Sequence, residues 1–241
     1  MNQVLSADAA MARAIECARL GLGKTLPNPI VGAVITSATG EFISEGFHQG
    51  GDHAEVVAIN AAKEIPTGAI IYVTLEPCNH QGKTPPCTDA IIKAGISKVV
   101  YAVSDPNPVA AGGAARLTAA GIAVEYQANE ELTQLQSAWL HRITTGRPYI
   151  IWKVATTLDG RIAAADGSSQ WISSPESRSD VQILRAQSDA ILIGTGTALA
   201  DNPTLRPRIE GASAPIRIVM GARDIPADSN LNDGLSQSVF L

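Results

Sequence analysis

The stretch Ala69-Ile70-Ile71-Tyr72-Val73-Thr74-Leu75, running on into Glu76-Pro77-Cys78-Asn79-His80-Gln81-Gly82-Lys83-Thr84-Pro85-Pro86-Cys87, decides how this chain is read. Its opening residues are almost continuously apolar and rich in β-branched and aromatic side chains. That is the pattern of a strand covered on both faces. Cys78 closes the strand. A helix follows Pro86, carries Ile91 and Ile92, and is closed by Gly95. A buried strand leading through a polar loop into a helix is one step of a layered α/β fold.

The same alternation extends both ways. Upstream, Ser6 to Leu22 reads as a helix capped by Ser6, with Met11, Ile15, Ala18 and Leu22 at helical spacing and glycines 21 and 23 at its end. Ile30 to Thr36 and Glu41 to Phe47 read as partner strands about a turn at Ala38-Thr39-Gly40. A further helix starts near His53. Downstream come a strand at Lys98 to Val103, a helix at Gly112 to Ala120 and a short strand at Ile122 to Tyr126. Asn129 to Thr144 reads as a connecting helix with Leu132, Leu135, Trp139 and Ile143 along one face. Gly146-Arg147-Pro148 breaks it and sets the expected boundary between a domain over 1–146 and one over 147–241. In the second domain, strands are expected at Tyr149 to Ala155, Asp189 to Gly194 and Pro215 to Met220. Helices are expected at Pro175 to Gln187 and from Thr195-Gly196-Thr197. Strands alternating with helices predict a largely parallel sheet.

On this map the chemistry collects at the ends of elements. His53 and Glu55 open one helix, Cys87 opens another, and Cys78 ends the strand between. One imidazole and two thiols suit Zn²⁺, and three ligands rather than four leave a position open for water. Zinc lowers the pKa of such a water from about 15.7 to about 7. Helix N-termini favour thiolate over thiol. Glu55 stands two residues after the imidazole, close enough to move protons without taking a coordination place. His-x-Glu with a later Pro-Cys and a second Cys is the pattern of zinc deaminases. Here eight residues separate the cysteines instead of two, so the loop leaves the metal and returns, holding His80 and Lys83 beside it. The competing reading is a structural zinc site with His80 as fourth ligand, or two unpaired core cysteines. Glu55 has no role in either.

Pro27-Asn28-Pro29, Gly46-Phe47-His48, His53-Ala54-Glu55, Thr74-Leu75-Glu76-Pro77-Cys78, Thr84-Pro85-Pro86-Cys87 and Asp105-Pro106-Asn107-Pro108 resemble motifs of the bifunctional riboflavin-biosynthesis deaminase–reductase family. The likeness runs from about Met11 to about Arg208. It implies a cytidine-deaminase-like three-layer α/β/α domain followed by the N-terminal part of a dihydrofolate-reductase-like α/β domain. It also implies zinc-dependent deamination of a diaminopyrimidine ribose phosphate, then reduction of the ribosyl chain to ribityl by NADPH. By the same resemblance His53, Cys78 and Cys87 hold zinc, Glu55 is catalytic, and Asn28, His48, His80 and Lys83 contact the substrate. Asn28 can both donate and accept at a pyrimidine edge, and Lys83 is a point charge suited to phosphate.

Lys153-Val154-Ala155, Leu158-Asp159-Gly160-Arg161, Ser169-Gln170-Trp171-Ile172 and Gly194-Thr195-Gly196-Thr197 through Ala200-Asp201-Asn202-Pro203 resemble the family's reductase. Ala155, Trp171, Thr197 and Asp201 are implied to line the NADPH site. Ser169, Arg185, Leu205 and Arg208 are implied to contact substrate, with Lys153 near the reacting centre. A guanidinium binds phosphate bidentately, which suits Arg185 and Arg208. The family's reductase runs for about another hundred residues, a normal domain size. The second domain is therefore expected to be partial and without reductase activity as written.

Composition bounds the rest. The chain has 241 residues, 45% hydrophobic and 17% charged, ordinary for a globular protein. A net charge of −5 and 4% aromatics argue against a nucleic-acid partner. No apolar run reaches membrane-spanning length and no signal peptide is evident. Three cysteines, two of them assigned to metal and Cys17 to a helix interior, fit a reducing cytoplasm. A homo-oligomer is expected by family analogy. Two other functions compete: a zinc deaminase of nucleosides or nucleobases, and a non-catalytic zinc-stabilised subunit.

Overall fold

The computed structural model describes residues 3–82 and 84–241. The chain divides into two compact units, Met1–Ile150 and Ile151–Leu241.

The first unit is built on five strands: β1 (Gly32–Thr36), β2 (Phe42–Phe47), β3 (Ile70–Val73), β4 (Lys98–Tyr101) and β5 (Ala123–Tyr126), in the order β2-β1-β3-β4-β5. Side chains alternate across this sheet. Ala33, Ile35, Ile71, Val73, Val99 and Tyr101 face one core with Ala54 and Ala58 of α2 (Ala54–Ala61), Ile91 of α3 (Cys87–Lys93) and Leu117 of α4 (Gly113–Ala119). Val34, Tyr72 and Val100 face the other, with Met11, Ala14 and Ile15 of α1 (Ala7–Arg19) and Leu132 of α5 (Glu130–Leu135). Trp139 and Leu140 of α6 (Ser137–Thr145) pack on this second core. Both faces are covered, which is why β1 is buried at every position and β3 reads as an unbroken apolar run. The result is a three-layer α/β/α unit.

The sheet corrects one expectation. It is mixed, not largely parallel. β1 runs antiparallel to both β2 and β3, and only the β3–β4–β5 half is parallel. The turn at Ala38-Thr39-Gly40 makes β1 and β2 a hairpin, and a hairpin is antiparallel by construction. Gly40 supplies the positive φ of +86° that this turn needs. The connecting helix also differs. It is two helices, α5 and α6, parted at Gln136, whose ψ of 7° leaves the helical range. Gly146 ends α6 with a φ of +69°.

The second unit holds a parallel sheet of β6 (Ala190–Gly194), β7 (Ile216–Met220) and β8 (Ser238–Phe240), with α7 (Pro175–Ala186) and α8 (Thr195–Asp201). Its core gathers Ala198, Leu205, Val219 and Leu231. Arg217, on β7, is fully buried. Its guanidinium donates to the carbonyls of Thr204, Asn230 and Ser236 and to Asp233 Oδ1 at 2.9 Å. Ser174 caps α7 and Pro175 is its first residue. The strand expected at Tyr149 to Ala155 is not formed. The segment has no regular structure, and Ile150, Ile151 and Trp152 are exposed. Its apolar β-branched composition favours a strand, but a strand needs a neighbour to take its hydrogen bonds, and none of the described strands pairs with it.

Candidate functional site

The site in the first unit is assembled where α2, α3 and the end of β3 meet. His53 is the N-cap of α2, Cys87 the first residue of α3, and Cys78 follows β3 by five residues. His53 Nδ1 lies 3.2 Å from Cys87 Sγ and 3.5 Å from Cys78 Sγ. The three donor atoms lie within 4.8 Å of one another. The edge of a tetrahedron with Zn–N and Zn–S bonds of ordinary length is about 3.6 Å, so the donors are spaced to share one zinc ion through the Nδ1 face of the imidazole. The Cys87 backbone N–H donates to Cys78 Sγ at 3.4 Å, a contact that favours thiolate. A hydrogen bond from the Cys87 thiol holds Cys78 below the usual thiol range, and Cys87, giving that bond, is raised. Among the described residues no fourth donor joins the cluster, and His80 stands outside it. This speaks against the structural zinc reading, which needs four.

Glu55, in the first turn of α2, is 3% exposed. Burial pushes its carboxyl up to about 7. It shares a cavity of about 230 Å³ with Asn28, His48, His53, Cys78 and His80. His48 is buried. Its Nδ1–H donates to the Asp52 carbonyl at 3.1 Å, which leaves Nε2 as an acceptor facing the Asn28 side-chain amide at 3.4 Å. That contact turns the Asn28 amide nitrogen toward the histidine. His80 Nδ1 is buried without a protein partner. The structure therefore brings Asn28, His48, His80, Glu55, His53 and Cys78 to one cavity, with Cys87 Sγ held against the His53 ring beside it. Lys83 lies outside the described residues.

Sequence reasoning left several of the cavity's walls without a role. Glu76 accepts from the Ala114 backbone N–H at 3.0 Å and from that of Asp105 at 3.3 Å, tying the end of β3 to the start of α4 and to the 105–110 loop. Asp105 and Asn107 also line the cavity, and burial raises the Asp105 carboxyl. Trp139, Arg142 and Ile143 form a wall from α6. Their spacing of three and four residues was readable as one helix face, but a face carrying Trp139 and Ile143 reads as core.

In the second unit Arg185 is half-buried and Arg208 is exposed. Arg185 is lowered by burial first and by the Arg208 charge second. Arg208 lines a cavity of about 350 Å³ with Thr204, Arg206 and Leu235. The other implied residues do not line it. Lys153, Ser169, Trp171, Thr197 and Asp201 are exposed and Ala155 is half-buried. The Arg178 guanidinium covers the Trp171 ring at 4.4 Å. The Leu205 side chain packs in the apolar core.

Comparison with known proteins agrees with this division. Residues 5–103 match the cytidine and deoxycytidylate deaminase zinc-binding region, and residues 148–241 match the RibD C-terminal domain. The riboflavin biosynthesis protein RibD of Mycobacterium tuberculosis is 51% identical over 97% of this chain and 71% of its own length. That of Escherichia coli is 52% identical over 82% of this chain and 55% of its own length. Among solved structures, a diaminohydroxyphosphoribosylaminopyrimidine deaminase/5-amino-6-(5-phosphoribosylamino)uracil reductase from Thermotoga maritima superposes with a TM-score of 0.90 at 40% identity. It covers 96% of this chain and 68% of that one. RibD of Acinetobacter baumannii gives 0.87 at 42% identity, over 96% of this chain and 68% of that one.

Proposed function

This chain belongs to the RibD family of riboflavin biosynthesis proteins, and on that premise we propose which of its residues carry the deaminase and reductase chemistry. The protein is a zinc deaminase with a reductase unit, acting in riboflavin biosynthesis. The substrate we assign is that of the Thermotoga relative's deaminase name, a diaminopyrimidine carrying a phosphoribosylamino group. Its exocyclic amine leaves as ammonia to give 5-amino-6-(5-phosphoribosylamino)uracil. The observation that carries this reading is a buried carboxyl, Glu55, beside three converging soft donors with no fourth among the described residues.

His53, Cys78 and Cys87 hold the zinc, which when bound supplies a water activated near neutral pH. Glu55 would carry the two protons of the attacking water in turn, the first to the ring nitrogen and the second, taken as the carbon–nitrogen bond breaks and the carbonyl forms, to the departing amine, which leaves as ammonia. Burial of Glu55 keeps bulk water from competing for those protons. Asn28, His48, His80 and Lys83 hold the pyrimidine and its ribose phosphate. Asn28 reads the ring edge, and the bare Nδ1 of His80 gains a partner when substrate fills the cavity. In the second unit, family likeness assigns Arg185 and Arg208 to a substrate phosphate and Lys153, Ser169 and Leu205 to the same substrate, although of these only Arg208 lines the cavity of that unit. NADPH is assigned to Ala155, Trp171, Thr197 and Asp201 by family likeness alone. Of these residues Trp171, Thr197 and Asp201 are exposed and Ala155 is half-buried. A small-molecule substrate, a homo-oligomeric state and a cytoplasmic location complete the reading. Among the described residues no helix is long and apolar enough to cross a membrane.

The test is zinc content and ammonia release from the diaminopyrimidine substrate, before and after chelation and in Cys87→Ser. The reading requires that zinc and activity be lost together in both cases. Deamination by zinc-free Cys87→Ser protein would refute it.

A further inference from the structure

We propose that Arg142 is the phosphate-recognition residue of the deaminase cavity and sets its preference for a phosphorylated substrate, an inference that rests on the deaminase reading above. The cavity is lined by three carboxylates, Glu55, Glu76 and Asp105. Acidic side chains offer a phosphate dianion no counter-charge, so its partner has to come from the cavity's rim while the pyrimidine goes in. Among the described residues that line the cavity, Arg142 is the one arginine or lysine. It is exposed, so it stands at the mouth, not in the interior.

The side chain is also held in place. One Arg142 amino group donates to the Pro27 carbonyl at 2.9 Å, next to Asn28, which contacts His48. A guanidinium carries five donors in a planar fork. With one amino group engaged at Pro27, the remaining N–H groups are available to two oxygens of a phosphate. None of the ion pairs among the described residues involves Arg142, so its charge has no carboxylate to neutralise it. Trp139 and Ile143, three residues before it and one after, form the apolar wall below it on α6. The wall offers the pyrimidine ring a flat face to pack on, and the guanidinium meets the substrate's charged end. Lys83 is a second cation proposed for this substrate, and Arg142 acts independently of it because it comes from a helix, not from the intercysteine loop.

The experiment compares the phosphorylated substrate with its dephosphorylated riboside, using zinc-loaded wild type, Arg142→Gln and Arg142→Lys. Arg142→Gln is expected to raise KM for the phosphorylated substrate by about 10- to 100-fold, the span of one lost hydrogen bond to a charged group. Its kcat, its zinc content and its KM for the riboside are expected to match wild type. Arg142→Lys, which keeps the charge but not the fork, is expected to recover part of the loss. Equal shifts for both substrates would make Arg142 a support for the Pro27–Asn28 loop and overturn the proposal. So would no shift for either. Wild-type protein that deaminates neither substrate would overturn the deaminase reading itself.

Discussion

Gly113 is where the site's geometry is most exposed to a single methyl group. It opens α4, and a Cβ built there would lie 1.8 Å from the Pro77 carbonyl oxygen. The closest comfortable carbon–oxygen approach is about 3.3 Å, so Gly113→Ala drives that carbonyl back by about 1.5 Å or pushes α4 outward. Pro77 is bonded directly to Cys78, and Glu76, one residue earlier, is tied to α4 through the Ala114 N–H. Strain at this contact is therefore passed to the Cys78 sulfur. Metal sites tolerate displacements of about 0.2 Å, and misplacing a reacting group by about 1 Å can lower a rate about 100-fold. We expect Gly113→Ala to destabilise the first unit by about 1–3 kcal/mol, the usual overpacking range, and to weaken zinc binding at least about 10-fold. Urea unfolding and zinc competition against a chromogenic chelator read the two effects. Gly51→Ala is the control, because a Cβ there meets nothing within 4 Å and its φ needs no glycine. Wild-type stability and zinc affinity in Gly113→Ala would refute the reasoning.

Two further predictions concern stability away from the zinc ligands. Arg13 Nε donates to Glu45 at 2.5 Å and this hydrogen bond holds the Glu45 carboxyl below its usual range. A depressed carboxyl contributes stability above the unfolded pKa of about 4.5 and loses it as pH falls through the folded value. Both side chains are more than a third exposed, or close to it, so solvent screening limits the contribution to about 1 kcal/mol. Glu45→Gln is expected to be less stable than wild type by that amount at neutral pH, with the gap closing in acid. A gap that persists unchanged in acid would assign it to packing. In the second unit, Arg217→Met removes a fully buried guanidinium that serves three carbonyls and Asp233, and is expected to destabilise that unit by about 3–5 kcal/mol. Limited proteolysis should cut the variant after residue 150 while deamination persists, and wild-type resistance would count against a structural role for Arg217.

The alternation of buried strands and amphipathic helices was legible in the first unit because its sheet is covered on both faces. Continuous apolar runs such as Ala69–Leu75 and capped helices such as α1, where Ser6 accepts from the Ala9 N–H, leave strong local signals. His53, Glu55, Cys78 and Cys87 were legible because metal chemistry restricts residue type and spacing. Strand direction was not, because a one-dimensional pattern does not record it, and β1 proved antiparallel to both neighbours. The break at Gln136 carries no glycine or proline to announce it. Tyr149–Ala155 misled because strand propensity says nothing of whether a partner is present. β8 (Ser238–Phe240) was missed because three residues are too few to show a period. Arg142 escaped because an arginine on an amphipathic helix reads as a solvated face, and only the fold places it on the cavity wall.

The most direct measurement is ammonia release from the diaminopyrimidine ribosylamino phosphate by zinc-loaded wild type and Glu55→Gln. Glutamine matches glutamate in size and removes a buried ionisable group, so the variant should fold and keep its zinc. Proton transfer by a positioned side chain is worth about 10²- to 10⁴-fold. The account predicts a loss of turnover of that size with zinc content unchanged, and near wild-type turnover in Glu55→Gln would contradict it.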